Sequence, residues 1–400
     1  MRQDTPAGLG GVHDRPAGWL SEVLLIDGAE YFSVLLHDLE NARKSIFFET
    51  YILEGGRVSK RVLDALRKAA QRGVRVCLLV DGIGSADWIS KTLANGSPPS
   101  FEVRVYHPLP WQALPRLLNL GTSYLSRFLD LIGIVNRRDH RKMVLIDDRV
   151  AFVGSVNLSD VHFQANHLDD SWHDVAIRVE SADCEVMRES FLATWYRSWR
   201  MCKSDGLVQP LKRGFLSRRR MHPLILRNDS RFVRFKAYSW RLKMMSDAKE
   251  RIWIANAYFV PSRGVQRALM KAASRGVDVR ILLTAESDVQ FMPWIARTHY
   301  AALMRSGIRL FEYQPRILHS KVIYIDDFVI IGSSNLNHRS LLHDLELDVF
   351  AQELETVQRV HKMFEEDFIE SVEVESGSLA QLSFWQEIAV KVLFYFRRVL

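Results

Sequence analysis

A chain of 400 residues, 48% of them hydrophobic, is too apolar to be disordered and long enough for two or three cores. Its 54 Lys and Arg outnumber its 47 Asp and Glu, for a formal charge of +7. A basic surface of that size suits anionic lipid or nucleic acid without separating the two.

In chain order, residues 1–20 are polar and rich in Gly and Pro, so no signal peptide is expected. SIFFETYIL (45–53) predicts a buried strand, and the apolar spacing of Val62, Leu63, Leu66, Ala69 and Ala70 predicts a helix over 61–72. Gly73 stands where a C-cap glycine belongs, and VRVCLLVDG (74–82) returns as a second strand, parallel to the first. Residues 108–135 form an apolar stretch in which Leu117, Leu120, Tyr124, Phe128 and Leu131 fall near helical spacing. They suit either a helix docked on the core or a segment lying in a membrane interface. Residues 203–222 read as a basic linker, and the bias continues through Arg227, Arg231, Arg234, Lys236, Arg241 and Lys243. Such a run is either a solvated face or a positive rim facing phosphate-bearing surfaces.

The second half repeats the first. A strand over 251–260, a helix over 265–276 ending at Gly276 and a strand over 277–284 match the earlier unit, and ALRKAAQRGVRVCLLV and ALMKAASRGVDVRILL are one segment twice. The C-terminus, FWQEIAVKVLFYFRRVL (384–400), is apolar and basic, and suits an amphipathic helix on the core or in an interface. No run of about 18 uncharged apolar residues occurs, so no membrane-spanning helix is expected. The cysteines, Cys77, Cys184 and Cys202, are odd in number and lack metal-ligand spacing, which fits reduced thiols in a cytosolic compartment better than a disulfide scaffold. The fold expected is α/β, an αβα sandwich present twice about a pseudo-twofold axis, with boundaries at 1–205 and 206–400.

The repeat carries a motif. His140, Lys142 and Asp147 are followed by Gly154, Ser155 and Asn157; His319, Lys321 and Asp326 are followed by Gly332, Ser333 and Asn335. Two such matches, each in the same apolar frame, are not chance. The second copy is one residue shorter between its Asp and its Gly. On a strand, positions two apart share a face, so each His projects with its Lys. Two halves packed about a twofold axis would then bring two imidazoles, two ammonium groups and two Asn amides to one cleft. That set suits a phosphodiester, because cations offset the charge that shifts during attack at phosphorus. One His attacks and the other protonates the leaving alcohol, then deprotonates the incoming alcohol or water. With lysines supplying positive charge, neither metal nor cofactor is expected.

Asp174 and Glu346 occupy corresponding positions downstream and are expected to orient the His each of its own half. Asp147 and Asp326 are assigned to holding the hairpin rather than to proton transfer, with Ser155 and Ser333 as further structural support.

These paired motifs resemble the phospholipase D superfamily, over roughly residues 20–370. FFETYIL, AAQRGVRVCLLVDGIGS, ANAYFVP and GSSNLNHRSL are similar to its bacterial cardiolipin synthase branch. The resemblance implies an active site between two domains and transfer of a phosphatidyl group from a phospholipid to the headgroup alcohol of phosphatidylglycerol. It also implies that His140, Lys142, Asn157, His319, Lys321 and Asn335 are catalytic, with His140 the nucleophile and His319 the acid and base. Two departures stand out: Gly154-Ser155 replaces a common Gly-Gly, and Asn337 stands where Asp often follows. The absence of N-terminal membrane helices resembles the branch's shorter, peripheral forms. Phosphatidylglycerol, an anionic membrane surface and a place on the cytoplasmic face of a bacterial membrane are therefore expected, and nucleic acid is not. A hydrolytic phospholipase D, a nuclease and a non-enzymatic lipid binder are the rival readings.

Overall fold

The duplicated strand–helix–strand unit is formed in both halves, each within an eight-stranded sheet. The computed structural model describes residues 18–94, 99–109, 137–163, 171–181, 184–202 and 222–375. The stretches read as docked or interfacial over 110–135 and 384–400, and the linker over 203–221, lie outside these residues.

The first half runs β1 (Ser21–Ile26), α1 (Asp27–Asn41), β2 (Ser45–Thr50), α2 (Arg57–Gln71), β3 (Arg75–Asp81), α3 (Ala86–Ala94) and β4 (Glu102–Tyr106). It continues with β5 (Met143–Ile146), β6 (Val150–Gly154), β7 (Val175–Glu180), α4 (Glu185–Trp195) and β8 (Trp199–Cys202). The second half runs β9 (Ile225–Arg227), α5 (Arg231–Asp247), β10 (Arg251–Asn256), α6 (Arg263–Ala273), β11 (Asp278–Thr284), α7 (Met292–Met304) and β12 (Arg309–Tyr313). It ends with β13 (Lys321–Ile325), β14 (Phe328–Gly332), α8 (His338–Leu342), β15 (Leu347–Ala351), α9 (Leu354–Ile369) and β16 (Ser371–Glu373).

The strand orders, β1-β7-β6-β5-β2-β3-β4-β8 and β16-β12-β11-β10-β13-β14-β15-β9, are the same order read in opposite directions. In each half the first two strands of the unit are parallel and the motif hairpin joins antiparallel. The strands β2, β5, β13 and β15 are buried throughout, which is why their sequences show continuous apolar runs rather than alternation.

Local chemistry sets the boundaries. The predicted first strands stop early, at Thr50 and Asn256, because the chain leaves the ladder to carry Tyr51 and Tyr258 towards the site. α2 starts four residues before the predicted 61, because the Asp160 carboxylate accepts from Arg57 N and Val58 N (both 2.9 Å) and caps it from a distance. α6 is capped by its own Ser262. Both helices end at glycines in the left-handed region, Gly73 (φ 88°) and Gly276 (φ 90°). The one-residue difference between the motifs lies wholly in the hairpin turn: residues 147–149 join β5 to β6, and 326–327 join β13 to β14.

The halves share one apolar core. Phe47, Leu145, Val153 and Ile177 of the first half belong to the same buried cluster as Ile254, Val322, Ile331 and Val349 of the second. Two short parallel bridges, Asp139 with Leu345 and His173 with Leu318, stitch the halves together at the motifs themselves.

Candidate active site

Each motif histidine sits just before a strand, not on it. His140 lies three residues ahead of β5, and His319 two ahead of β13. What holds them is the pair of cross-half bridges: His319 N donates to His173 O (2.8 Å), and His140 N donates to Leu345 O (3.0 Å). Residues 173 and 345 immediately precede Asp174 and Glu346, so each bridge delivers an acid to the opposite half's histidine. His319 Nδ1 lies 2.7 Å from Asp174 Oδ1, and His140 Nδ1 lies 3.2 Å from Glu346 Oε1. The expectation that each acid serves its own half is thereby corrected. Sequence position alone could not show the crossing, which is a tertiary pairing.

His140, His319, Asn157, Asn335 and Glu346 line a single cavity of about 770 Å³. Lys142 and Lys321 do not line it. They are buried beneath, each ammonium donating to the carbonyl of its own histidine, at 2.7 Å for Lys142 and 2.5 Å for Lys321. Above each lysine stands a tyrosine that does reach the cavity: Lys142 Nζ is 5.2 Å from the Tyr51 ring centre, and Lys321 Nζ is 6.0 Å from that of Tyr258. Burial pulls Lys142 down to about 8 against the nearby carboxylates of Glu346 and Asp174, and burial together with the Lys142 charge pulls Lys321 to about 7.

The histidines are shifted the same way. Burial and the neighbouring lysines hold His140 well below the usual imidazole range, and burial and Lys321 take His319 to about 3 against the pull of Asp174. Both shifts favour the neutral imidazoles, and a bound anion would favour their protonated forms.

The motif glycines and serines have separable tasks. A Cβ on Gly154 would come within 2.5 Å of Ala176 Cα, and one on Gly332 within 2.4 Å of Leu347 O, so only glycine lets the next strand approach. Ser155 Oγ donates to Asp174 Oδ1 (2.6 Å), and Ser333 Oγ donates to Glu346 Oε2 (2.5 Å). Asp147 accepts from the backbone N–H groups of Arg43, Lys44 and Ser45 (2.7–2.9 Å), and Asp326 from those of Lys249, Glu250 and Arg251 (2.9–3.1 Å). Both aspartates are remote from the cavity lining, and each pins its hairpin turn to the start of the neighbouring strand. Asn337, one of the departures from the family pattern, caps α8 by accepting from Ser340 N (2.7 Å), which an Asp would do equally.

Other residues behind and along the cavity wall were not singled out in the sequence. His162 is fully buried, its Nδ1 2.5 Å from Asp174 Oδ2 and its Nε2 3.4 Å from Asn157 Nδ2. Its ring centre lies 5.3 Å from that of His319, and Trp172 packs on both rings. The repeat held the signal: His162 follows Asn157 by five residues, as Ser340 follows Asn335. Ser340 Oγ donates to Glu346 and accepts from Asn335 N. Asn157 Oδ1 accepts from Ile52 N (3.3 Å), while the buried Asn335 Oδ1 has no partner among the described residues. His162, Asp174 and His319 bring ligand atoms within 4.8 Å of one another, a set that could hold a metal ion. The two imidazole–carboxylate hydrogen bonds account for that approach on their own.

A family model described as "Cardiolipin synthase, PLD-like domain" matches residues 35–195 and 242–368. A cardiolipin synthase B of Salmonella typhimurium is 31% identical over 388 residues, covering 94% of this chain and 87% of that protein. The chain belongs to the cardiolipin synthase family. A cardiolipin synthase of Geobacillus kaustophilus is 28% identical, over 92% of this chain and 70% of its own length. Among solved structures, phosphatidylserine synthase of Haemophilus influenzae superposes with a TM-score of 0.65 at 15% identity, covering 94% of this chain and 93% of that one. Polyphosphate kinase of Porphyromonas gingivalis gives 0.55 at 12% identity, over 95% of this chain and 54% of its own. At those identities the shared feature is the two-domain phospholipase D fold.

Proposed function

We propose that this member of the cardiolipin synthase family is a phosphatidyltransferase that moves a phosphatidyl group from phosphatidylglycerol to the headgroup hydroxyl of a second phosphatidylglycerol. The supporting observation is the pair of crossed histidine–acid pairs opening on one cavity, each above a buried lysine. The cavity lining includes the apolar side chains of Ile52, Ile83, Val289, Phe291 and Met292, which suits a lipid better than a nucleic acid backbone.

His140 attacks phosphorus, forming an N–P bond as the P–O bond to glycerol breaks, and His319 gives its proton to the departing oxygen. In the return step His319 takes the proton of the incoming hydroxyl. Its oxygen then attacks phosphorus and frees His140. Charge supports this division of labour. The group that carries the proton must become an imidazolium, and Asp174, the acid beside His319, is held ionised by His162 and His319 despite its burial. The substrate phosphodiester supplies further negative charge to the protonated form.

No helix among the described residues is long and apolar enough to cross a membrane. With a lipid substrate, we place the reaction at an anionic membrane surface, on the cytoplasmic face of a bacterial membrane. Incubation with phosphatidylglycerol vesicles and analysis of the products tests the reading. Cardiolipin and glycerol in equal amounts are expected. Phosphatidic acid without cardiolipin would make the enzyme a hydrolase.

A further inference from the structure

The helix α5 has an outward face that core packing does not explain. Val233, Ala237, Arg241 and Met245, spaced by four, are its buried side. The opposite side presents Phe235, 67% exposed, and Phe232, 47% exposed, with Arg231 and Lys236 exposed beside them. Phe235, with the half-exposed Phe232 three residues before it, puts aromatic carbon on the outward helix face.

Charge says which partner. α5 carries Arg231, Arg234, Lys236, Arg241 and Lys243 against a single acid, Asp247, and Lys243 Nζ already bonds that acid at 2.5 Å. Arg241 is spent inward on Asp348, and Arg234 donates to Leu342 O (2.6 Å) and His343 O (3.2 Å). What faces outward is therefore aromatic carbon flanked by Arg231 and Lys236, whose Nζ is 5.8 Å from the Phe232 ring centre. Aromatic rings that can enter an acyl boundary, with cations positioned at the headgroup level, match an anionic bilayer. A nucleic acid would want a longer cationic track and gain little from exposed phenylalanines.

Position gives the patch a purpose. The Arg234 contacts clamp the first turn of α5 to residues 342–343, directly after Arg339 and Ser340 of the cavity wall. A bilayer that holds α5 thus holds the wall of the cavity.

We propose that the outward face of α5, through Phe232, Phe235, Arg231 and Lys236, docks on anionic phospholipid and presents the cavity to the membrane surface. The proposal rests on the lipid-transfer reading above and adds the surface that reaches the lipid. None of the four side chains touches the histidines, so the face can be altered while the chemistry is kept.

The test uses the full chain and two presentations of substrate: vesicles of phosphatidylglycerol with phosphatidylcholine, and phosphatidylglycerol dispersed in detergent micelles. Phe232→Ser with Phe235→Ser should weaken co-sedimentation with the vesicles by roughly tenfold or more. Arg231→Glu with Lys236→Glu should give a loss that shrinks as salt rises. In both variants micellar turnover and the thermal midpoint should match the parent chain. Leu354→Ser, at a residue 71% exposed on α9, serves as a control and should change nothing. Vesicle binding and vesicle turnover unchanged in both double variants would overturn the docking face while leaving the transfer reading intact. Equal losses on vesicles and micelles would also overturn it, because the face would then act on the cavity itself. A parent chain that turns over phosphatidylglycerol in neither presentation would instead sink the functional reading.

Discussion

The two half-sites share a backbone plan and differ in charge. In the pair formed by His319 and Asp174, burial should raise the acid, yet the adjoining His162 and His319 hold it well below the usual carboxylate range. In the pair formed by His140 and Glu346, burial pushes the acid up to about 8, against Lys142 and the Ser333 and Ser340 hydroxyls. A second imidazole stands on one acid where two hydroxyls stand on the other. The two copies share their geometry, and where one places His162 the other places Ser340, so the two acids are shifted in opposite directions. On the proposed mechanism, an ionised partner on one side and a neutral partner on the other would separate the acid from the nucleophile.

That contrast can be broken most sharply at the acids. Asp174→Asn removes an ionised group that holds two imidazoles, and turnover should fall by roughly 10³-fold or more with the fold retained by circular dichroism. Glu346→Gln removes a group that is largely protonated at neutral pH, so the loss should stay within about 10–100-fold. Equal losses would mean the half-sites are electrically alike.

The same contrast can be sharpened one residue further out. His162→Phe should lower kcat by about 10–100-fold with little change in KM, and should move the pH profile of turnover, because Asp174 loses a partner. His162→Gln, which can still donate to Asp174, should recover part of it. Ser340→Ala should cost less, since Ser333 remains on Glu346. A His162 variant that loses stability but keeps the parent pH profile would reduce the residue to packing.

Smaller effects separate chemistry from scaffold. Asparagine tolerates the positive φ of Asp147 (54°) and Asp326 (47°). Asp147→Asn and Asp326→Asn thus test the turn contacts alone, and each should lower unfolding stability by about 1–3 kcal/mol. Lost turnover at unchanged stability would contradict a purely structural task. Finally, Glu346 binds its proton more tightly folded, at about 8, than unfolded, near 4.5. Its contribution to stability is full below about 4.5 and is lost as pH rises through about 8. Denaturant midpoints measured from pH 5 to 8 should fall less steeply in Glu346→Gln than in the parent chain.

Much of this was legible in the sequence because it is written locally. Apolar runs at 143–146 and 321–325 mark buried strands, Gly73 and Gly276 mark helix ends, and the repeat marks two halves with one site between them. The crossing of acids and histidines was not legible, because it depends on residues 139 with 345 and 173 with 318 meeting between halves. The motif histidines also left the strands assigned to them, since those cross-half bridges hold them ahead of β5 and β13. His162 was hidden for a related reason: beyond Asn157 the copies diverge, and a histidine there looks like any other until Asp174 is brought beside it. Burial of both lysines beneath tyrosines is likewise a property of packing, which spacing along the chain does not encode.

Trapping the covalent intermediate is the most direct test. Phosphatidylglycerol labelled in its phosphate, mixed with enzyme and quenched in alkali within the first turnover, should leave label on the peptide containing His140. It should be absent in His140→Ala, and in His319→Ala both its formation and its loss should slow, because nothing then protonates the departing glycerol oxygen or takes the proton of the incoming hydroxyl. Label on the peptide containing His319, or turnover with no labelled histidine at all, would contradict the assignment of a neutral nucleophile at Glu346 and a proton carrier at Asp174.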